Sequence, residues 1–329
     1  MQERSETIGY VLFNGFSPCK VDIPDRLVVD HCLAYVHVRG KFSAAGLLRS
    51  YYHAARTGGR CKLADILDQI VAYKREFLDY ARRNRSLADI RARMDGLKPP
   101  PDFAAGLRRE PDAPLNVIAE VKKASPSKGI IREDFDPVKI AESYASHGAA
   151  AISVLTDEEF FQGNLDFLRE VHKTLPETPL LRKDFTIDEY QIYEAREAGA
   201  SAVLLIAAIL DKHQLVDYRE LANSLKMDAL VEVHSEREAD IVAESGATII
   251  GINNRNLKTF EVDIAQTERV MNLLGAPMEG YIFVGESGIH TPEDAEQTKA
   301  YGVDAILVGE SLMKLKEPGT GIPVLRGLA

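Results

Sequence analysis

Eight short, near-continuous apolar runs recur along the chain from residue 117 onward, and half of them carry a charged residue at or next to their C-terminal end. They occupy 117–122, 151–155, 180–184, 203–206, 230–233, 249–253, 282–286 and 306–309. A run without polar alternation suits a strand covered on both faces, the environment of a parallel sheet. Successive runs begin roughly 20 to 30 residues apart, room for one crossover helix and two short loops. Eight βα units in succession predict an α/β fold closed into a (β/α)8 TIM barrel of about 250 residues, in preference to an open doubly wound sheet.

In such a barrel the reacting groups come from the C-terminal ends of the strands. Those ends carry Glu120, Lys122, Lys183, Glu232, Asn253 and Glu286. A single charge on a buried strand can be a core ion pair. A whole ring of them converging on one mouth is harder to explain structurally, because each buried charge is costly unless it is paired or used. The set is expected to form an active site.

The 329 residues exceed one barrel. Residues 62–329 are therefore read as the catalytic barrel, and 1–61 as an N-terminal extension with no legible role. Cys, His and Tyr concentrate in that extension, and Arg56-Thr57-Gly58-Gly59-Arg60 near its end reads as a linker. The net charge of −10, with no basic run, argues against a nucleic-acid surface and for a small-molecule enzyme with a locally positive pocket. No apolar stretch reaches the roughly 18 residues of a spanning helix and no signal-peptide pattern opens the chain, so no membrane partner and a cytoplasmic location are expected. Cys19, Cys32 and Cys61, odd in number and irregular in spacing, fit neither a disulfide framework nor a zinc site. The barrel's histidines lack ligand spacing, so no metal is expected; His234 alone lies beside a strand end. Nothing in the sequence specifies an oligomeric state.

Ahead of the barrel, Leu63, Ile66, Leu67, Ile70, Val71, Tyr73 and Lys74 fall at helical spacing and predict a helix reaching about Arg83, followed by a second over 87–94. Pro99-Pro100-Pro101 then breaks the chain. Such extra N-terminal helices can close the bottom of a barrel or pack beside its mouth. Asp136-Pro137 and Thr291-Pro292 predict helix starts, an N-cap followed by proline in the first turn. The charges within 138–147 and 188–198 read as solvated helix faces.

Three stretches carry chemistry. Gly285-Glu286-Ser287-Gly288 and Gly309-Glu310-Ser311 end the last two runs, where exposed backbone N–H groups in a barrel commonly hold a phosphate. Lys183 would face Lys122 and Glu232, and both a general acid and a Schiff-base nucleophile are open to it. Glu232 and Glu120 could divide acid and base roles if their surroundings push their pKa values apart. Ser125-Pro126-Ser127-Lys128-Gly129, directly after Lys122, suits a loop that closes over substrate.

Ile118-Ala119-Glu120-Val121-Lys122, Phe160-Phe161-Gln162-Gly163, Leu181-Arg182-Lys183-Asp184-Phe185, Val231-Glu232-Val233-His234, Asn253-Asn254-Arg255-Asn256-Leu257 and Glu286-Ser287-Gly288-Ile289 follow one another in an order that closely resembles the indole-3-glycerol-phosphate synthase family. The resemblance runs from about Leu63 to the C-terminus and implies a carboxy-lyase of tryptophan biosynthesis that needs no cofactor. It implies that Lys183 is the general acid of ring closure and that Glu232 is a base that stabilises a cationic intermediate. Glu120 and Lys122 would assist, chiefly in dehydration, although the division of steps between Lys122 and Lys183 stays open. Asn253 and Glu286 would position the substrate and hold the lysines. Ser125 and Arg255 would lie near the substrate carboxylate, and Phe161, Phe185, Leu204 and Leu257 around its aromatic ring. The phosphate would rest on Ser287, Gly288, Gly309 and the N–H of Glu310, whose side chain is expected in solvent. Another phosphate-binding barrel such as an aldolase using Lys183, or a non-catalytic phosphate-sugar binding protein, are the competing readings.

Overall fold

The computed structural model describes residues 66–257, 259–276 and 279–328, and in it each of the eight apolar runs is a strand. The expected extension over 1–61, with its three cysteines and its linker, lies outside the described residues. The barrel strands are β1 (Asn116–Val121), β4 (Ala151–Leu155), β5 (Leu180–Lys183), β6 (Ala202–Ile206), β7 (Asp228–Val233), β8 (Ile249–Asn253), β9 (Ile282–Glu286) and β10 (Ala305–Val308). All neighbours pair in parallel, in the order β1-β10-β9-β8-β7-β6-β5-β4 with β4 returning to β1, so the sheet closes. A two-residue hairpin, β2 (Ala124–Ser125) and β3 (Gly129–Ile130), leaves the top of β1; the Ser125–Gly129 stretch is its turn.

Strand parity explains where the polar ends point. Ile118, Leu181, Leu230, Ile249 and Ile282 face the barrel interior in one apolar cluster. Side chains of one strand alternate between faces, so Glu120, Lys183, Glu232, Asn253 and Glu286, each an even number of residues further on, face the same interior at its upper end. The intervening residues, such as Val117, Val154, Val231 and Ile250, pack outward against the helices.

Those helices are α4 (Pro137–Ser146), α5 (Leu165–Thr174), α6 (Glu189–Glu197), α7 (Lys212–Ser224), α8 (Glu236–Glu244), α9 (Ala265–Leu274), α10 (Pro292–Ala300), α11 (Glu310–Met313) and α12 (Gly321–Leu325). Asp136 caps α4 by accepting from Lys139 N, and Thr291 caps α10 with a reciprocal bond to Asp294, both ahead of proline as expected. The solvated reading of 188–198 does not hold throughout. Glu194 and Arg196 are buried; Glu194 meets the outward-facing Arg182 at 3.0 Å, and Arg196 donates to Leu225 O at 3.1 Å. Helical periodicity gave no sign of this, because the partner charge sits on β5.

The leading segment divides both expected roles between different helices: α1 (Ile66–Asn84), α2 (Leu87–Met94) and α3 (Phe103–Leu107). Phe103 and Leu107 of α3 are fully buried against the interior cluster and plug the bottom, where Asp228 at the foot of β7 accepts from Ala104 N. In contrast, α1 packs beside the mouth. Its Lys74 is 2% exposed and lies 2.6 Å from Asp184 Oδ1 and 3.0 Å from Asp157 Oδ2, one and two residues past the ends of β5 and β4. No helix among the described residues is long and apolar enough to cross a membrane.

Candidate active site

At the top of the barrel Lys183 Nζ sits between two carboxylates, 2.9 Å from Glu232 Oε2 and 2.6 Å from Glu286 Oε2. The second oxygen of Glu232 lies 2.9 Å from His234 Nε2. Burial works against the charge on Lys183, but Glu232, Glu286 and Glu120 outweigh it and hold its pKa above the usual lysine range. Burial also disfavours the Glu232 anion, yet Lys183 and His234 prevail and hold its pKa well below the usual carboxylate range. Glu286 moves the other way. Burial raises its pKa, the Glu232 charge adds to that, and the shared Lys183 does not offset them. Their surroundings thus drive the Glu232 and Glu286 carboxyls apart.

Gly251 underlies this cluster: a Cβ there would sit 2.2 Å from Glu286 Oε1. That oxygen is buried and has no hydrogen-bond partner among the described residues. Across the mouth Lys122 Nζ pairs with Glu120 Oε1 at 2.5 Å, a second ammonium–carboxylate pair with Lys122 partly accessible. Glu286 pairs with Lys183. The Asn253 amide has other partners: its Oδ1 accepts from Arg255 N at 3.0 Å and its Nδ2 lies 3.3 Å from His234 Nε2.

After β9 the backbone turns sharply. Ser287 has φ 65° and Gly288 φ 81°, a left-handed pair that costs a non-glycine residue about 1 kcal/mol or more. The turn is held by Asn254, which is 3% exposed: its N donates to Glu286 O at 2.9 Å and its Nδ2 to Ser287 O at 3.1 Å, while its Oδ1 accepts from Thr267. Ser287, Gly288, Gly309 and Glu310 line one side of the pocket together. The Glu310 carboxylate is not in free solvent. It is 14% exposed, bonded to Lys314 at 2.6 Å and 3.9 Å from Lys128, so two ammonium groups screen it from an anion bound at its N–H.

The pocket also has an apolar wall. Leu204, Phe161, Phe185 and Leu257 line it, the two rings 6.0 Å apart between centroids, and Ile66, Leu67 and Ile70 of α1 complete the wall. Ser125, Pro126, Ser127 and Arg255 border the same pocket. Arg255 donates to Phe260 O at 3.3 Å, which ties it to its own loop, and Arg132 anchors the region after the hairpin through Met313 O and Leu315 O. All the site residues expected from the sequence therefore border one cavity. Sequence reasoning missed three supports: His234 beside Glu232, Asn254 at the Ser287 turn, and the pairing of Lys74 on α1 with Asp157 and Asp184. His234 was visible beside a strand end, but nothing in the sequence paired it with Glu232.

The family model for indole-3-glycerol phosphate synthase matches residues 67–324. The chain belongs to this family. It is 51% identical over 248 residues to an indole-3-glycerol phosphate synthase of Chloroherpeton thalassium, covering 75% of this chain and 94% of that protein. It is 47% identical over 267 residues to one of Polaromonas sp., covering 81% of this chain and 100% of that protein. Among solved structures a 3-hexulose-6-phosphate synthase superposes with a TM-score of 0.51 at 14% identity, covering 65% of this chain and 99% of the other; that likeness is one of fold. The family match takes in α1, α2 and α3 as well as the barrel, so the helix carrying Lys74 belongs to the family unit.

Proposed function

We propose that the chain is an indole-3-glycerol-phosphate synthase. It closes the ring of 1-(2-carboxyphenylamino)-1-deoxyribulose 5-phosphate with loss of carbon dioxide and water, a step of tryptophan biosynthesis, in the cytoplasm and without a cofactor. The observation that carries the chemistry is the Lys183 ammonium held between Glu232 and Glu286 above an apolar pocket. The catalytic unit is residues 62–329.

The substrate's phosphate lies on the backbone of Ser287, Gly288, Gly309 and Glu310, and its aromatic ring against Phe161, Phe185, Leu204 and Leu257. Arg255 and Ser125 hold the carboxylate, a role suited to a guanidinium fork. This binding sets the ring carbon that bears the carboxylate against the substrate carbonyl. As the carbon–carbon bond forms, Lys183 gives its proton to the carbonyl oxygen, which becomes a hydroxyl. The ring now carries positive charge, stabilised by the Glu232 anion. Departure of carbon dioxide leaves its bonding pair in the ring and restores aromaticity. In the second half the new hydroxyl takes a proton and leaves as water, and the adjacent carbon loses a proton to complete the indole. Glu120 and Lys122 serve this half, with Lys122 as the acid. From the carboxylate form of the substrate the sum consumes one proton.

A Schiff base on Lys183 is disfavoured by the same geometry. An amine flanked by two carboxylates, with its pKa held high, keeps its proton and stays a general acid. The full chain, mixed with the substrate in the absence of metal and cofactor, is expected to produce indole fluorescence together with carbon dioxide in equal amount. Folded protein that gives no fluorescence would overturn the proposal, as would trapping of a covalent lysine adduct by borohydride.

A further inference from the structure

Beside Glu232 lies a histidine that the reaction scheme does not use. His234, directly after β7, has a side chain 7% exposed, and its two ring nitrogens face two different carboxylates. Nε2 is 2.9 Å from Glu232 Oε1; Nδ1 is 3.7 Å from Glu238 Oε2, on α8. Glu238 is itself tied down, accepting from His234 N at 2.8 Å and from Ser235 Oγ at 2.8 Å. From β8 the group facing the ring is the uncharged Asn253 amide, and beyond Glu232 stand Lys183 and Glu286.

A nitrogen and a carboxylate oxygen 2.9 Å apart need a proton between them, since two lone pairs at that distance repel. That places a hydrogen on Nε2. A carboxylate also faces the other nitrogen, so a bare Nδ1 would set a lone pair against an anion, whereas a protonated one is attracted to it. Nδ1 makes no hydrogen bond at 3.7 Å, but the anion facing it favours a hydrogen at that end as well. With Nε2–H committed to Glu232, the Asn253 Nδ2 at 3.3 Å does not donate to the ring, and its hydrogens are free for a ligand.

We propose that His234 is a positioning residue: as an imidazolium it holds Oε1 of Glu232, turns Oε2 toward Lys183, and makes Glu232 the anion of the site, so that the shared proton resides on Glu286. The structure contains one ammonium between two carboxyls, and a neutral neighbour would leave the choice of anion nearly even. A cation on Glu232 alone breaks that symmetry. Burial opposes the imidazolium, but Glu232 and Glu238 outweigh it and bring its pKa to about 9. The base of the reaction is therefore fixed before substrate arrives, and the proton is left on Glu286, whose Oε1 is buried against Gly251 without a partner.

The catalytic consequence rests on the synthase reading; the protonation of His234 does not. The test has two arms. In the full-length protein labelled with 15N-histidine, the His234 ring, assigned by its disappearance in His234→Gln, is expected to remain an imidazolium through pH 8 and titrate near 9. Titration at or below the ordinary value of about 6.5 overturns the proposal, whether or not the protein turns over substrate. The second arm is the pH dependence of kcat. Glutamine can donate one hydrogen bond to Glu232 but carries no charge. His234→Gln is therefore expected to move the acid limb of kcat upward by about one pH unit or more, with KM changed less than threefold. A folded His234→Gln enzyme with the wild-type pH profile refutes the role. Should the variant fail to fold, His234→Asn serves for assignment and the titration decides.

Discussion

Replacing Lys74 by methionine tests whether α1 is part of the active-site wall. Lys74 Nζ lies 2.6 Å from Asp184 Oδ1 and 3.0 Å from Asp157 Oδ2 with 2% of its side chain exposed. Asp184 has other support: Arg182 Nη2 at 3.1 Å and Thr156 Oγ1 at 2.6 Å remain on its Oδ2. Asp157 Oδ2 has no hydrogen bond, and its countercharge is Lys74. Methionine fills much of the space but leaves Asp157 buried and unpaired, a change that costs about 3–5 kcal/mol in comparable buried pairs. Proton uptake by Asp157, whose burial already raises its pKa, lowers the cost toward the smaller figure. Urea unfolding of Lys74→Met is expected to show that loss, and adding Asp157→Asn to recover part of it. Because Ile66, Leu67 and Ile70 of α1 line the pocket, KM should rise as the helix loosens. A loss below about 1 kcal/mol with unchanged KM would refute the argument that this ion cluster docks α1.

Two further outcomes follow from the same geometry. Gly251→Ala places a methyl where Glu286 Oε1 now sits, 2.2 Å away, so the carboxyl must swing off Lys183; a drop in kcat of at least about tenfold in a folded variant is expected, and wild-type kcat would contradict the placement. Stability should fall as pH rises from about 6.5 to 9. His234 has a folded pKa of about 9 against about 6.5 unfolded, so its contribution is complete below 6.5 and lost as pH climbs through 9, on the order of 3 kcal/mol at most. Glu286, also raised, acts in the same direction. Urea midpoints between pH 6 and 9.5 read this out, and a flat profile would count against both protonation states.

Strands and site were legible in the sequence for one reason: both are local. A strand buried on two faces shows itself as an apolar run, and the expected ends agree with the observed ones to within two residues. Parity along each run then carries Glu120, Lys183, Glu232 and Glu286 into the barrel without knowledge of any neighbour. What stayed hidden depends on pairing between distant segments. Lys74 looks like the polar edge of an amphipathic helix until β4 and β5 bring Asp157 and Asp184 beneath it. Glu194 looks solvated until Arg182 of the neighbouring strand faces it. His234 looks incidental, because its meaning lies in which oxygen of Glu232 is already taken by Lys183. The short helix α3 left little periodicity to read in five residues.

The central claim is that Lys183, kept protonated between Glu232 and Glu286, is the acid of ring closure. Its most direct measurement is the turnover of Lys183→Ala on 1-(2-carboxyphenylamino)-1-deoxyribulose 5-phosphate, followed by indole fluorescence beside the wild-type enzyme, with circular dichroism to verify the fold. General-acid removal is expected to lower kcat by about 10²–10⁴-fold while KM changes little. A folded Lys183→Ala protein within tenfold of wild-type kcat would contradict the account and shift the acid of ring closure to Lys122.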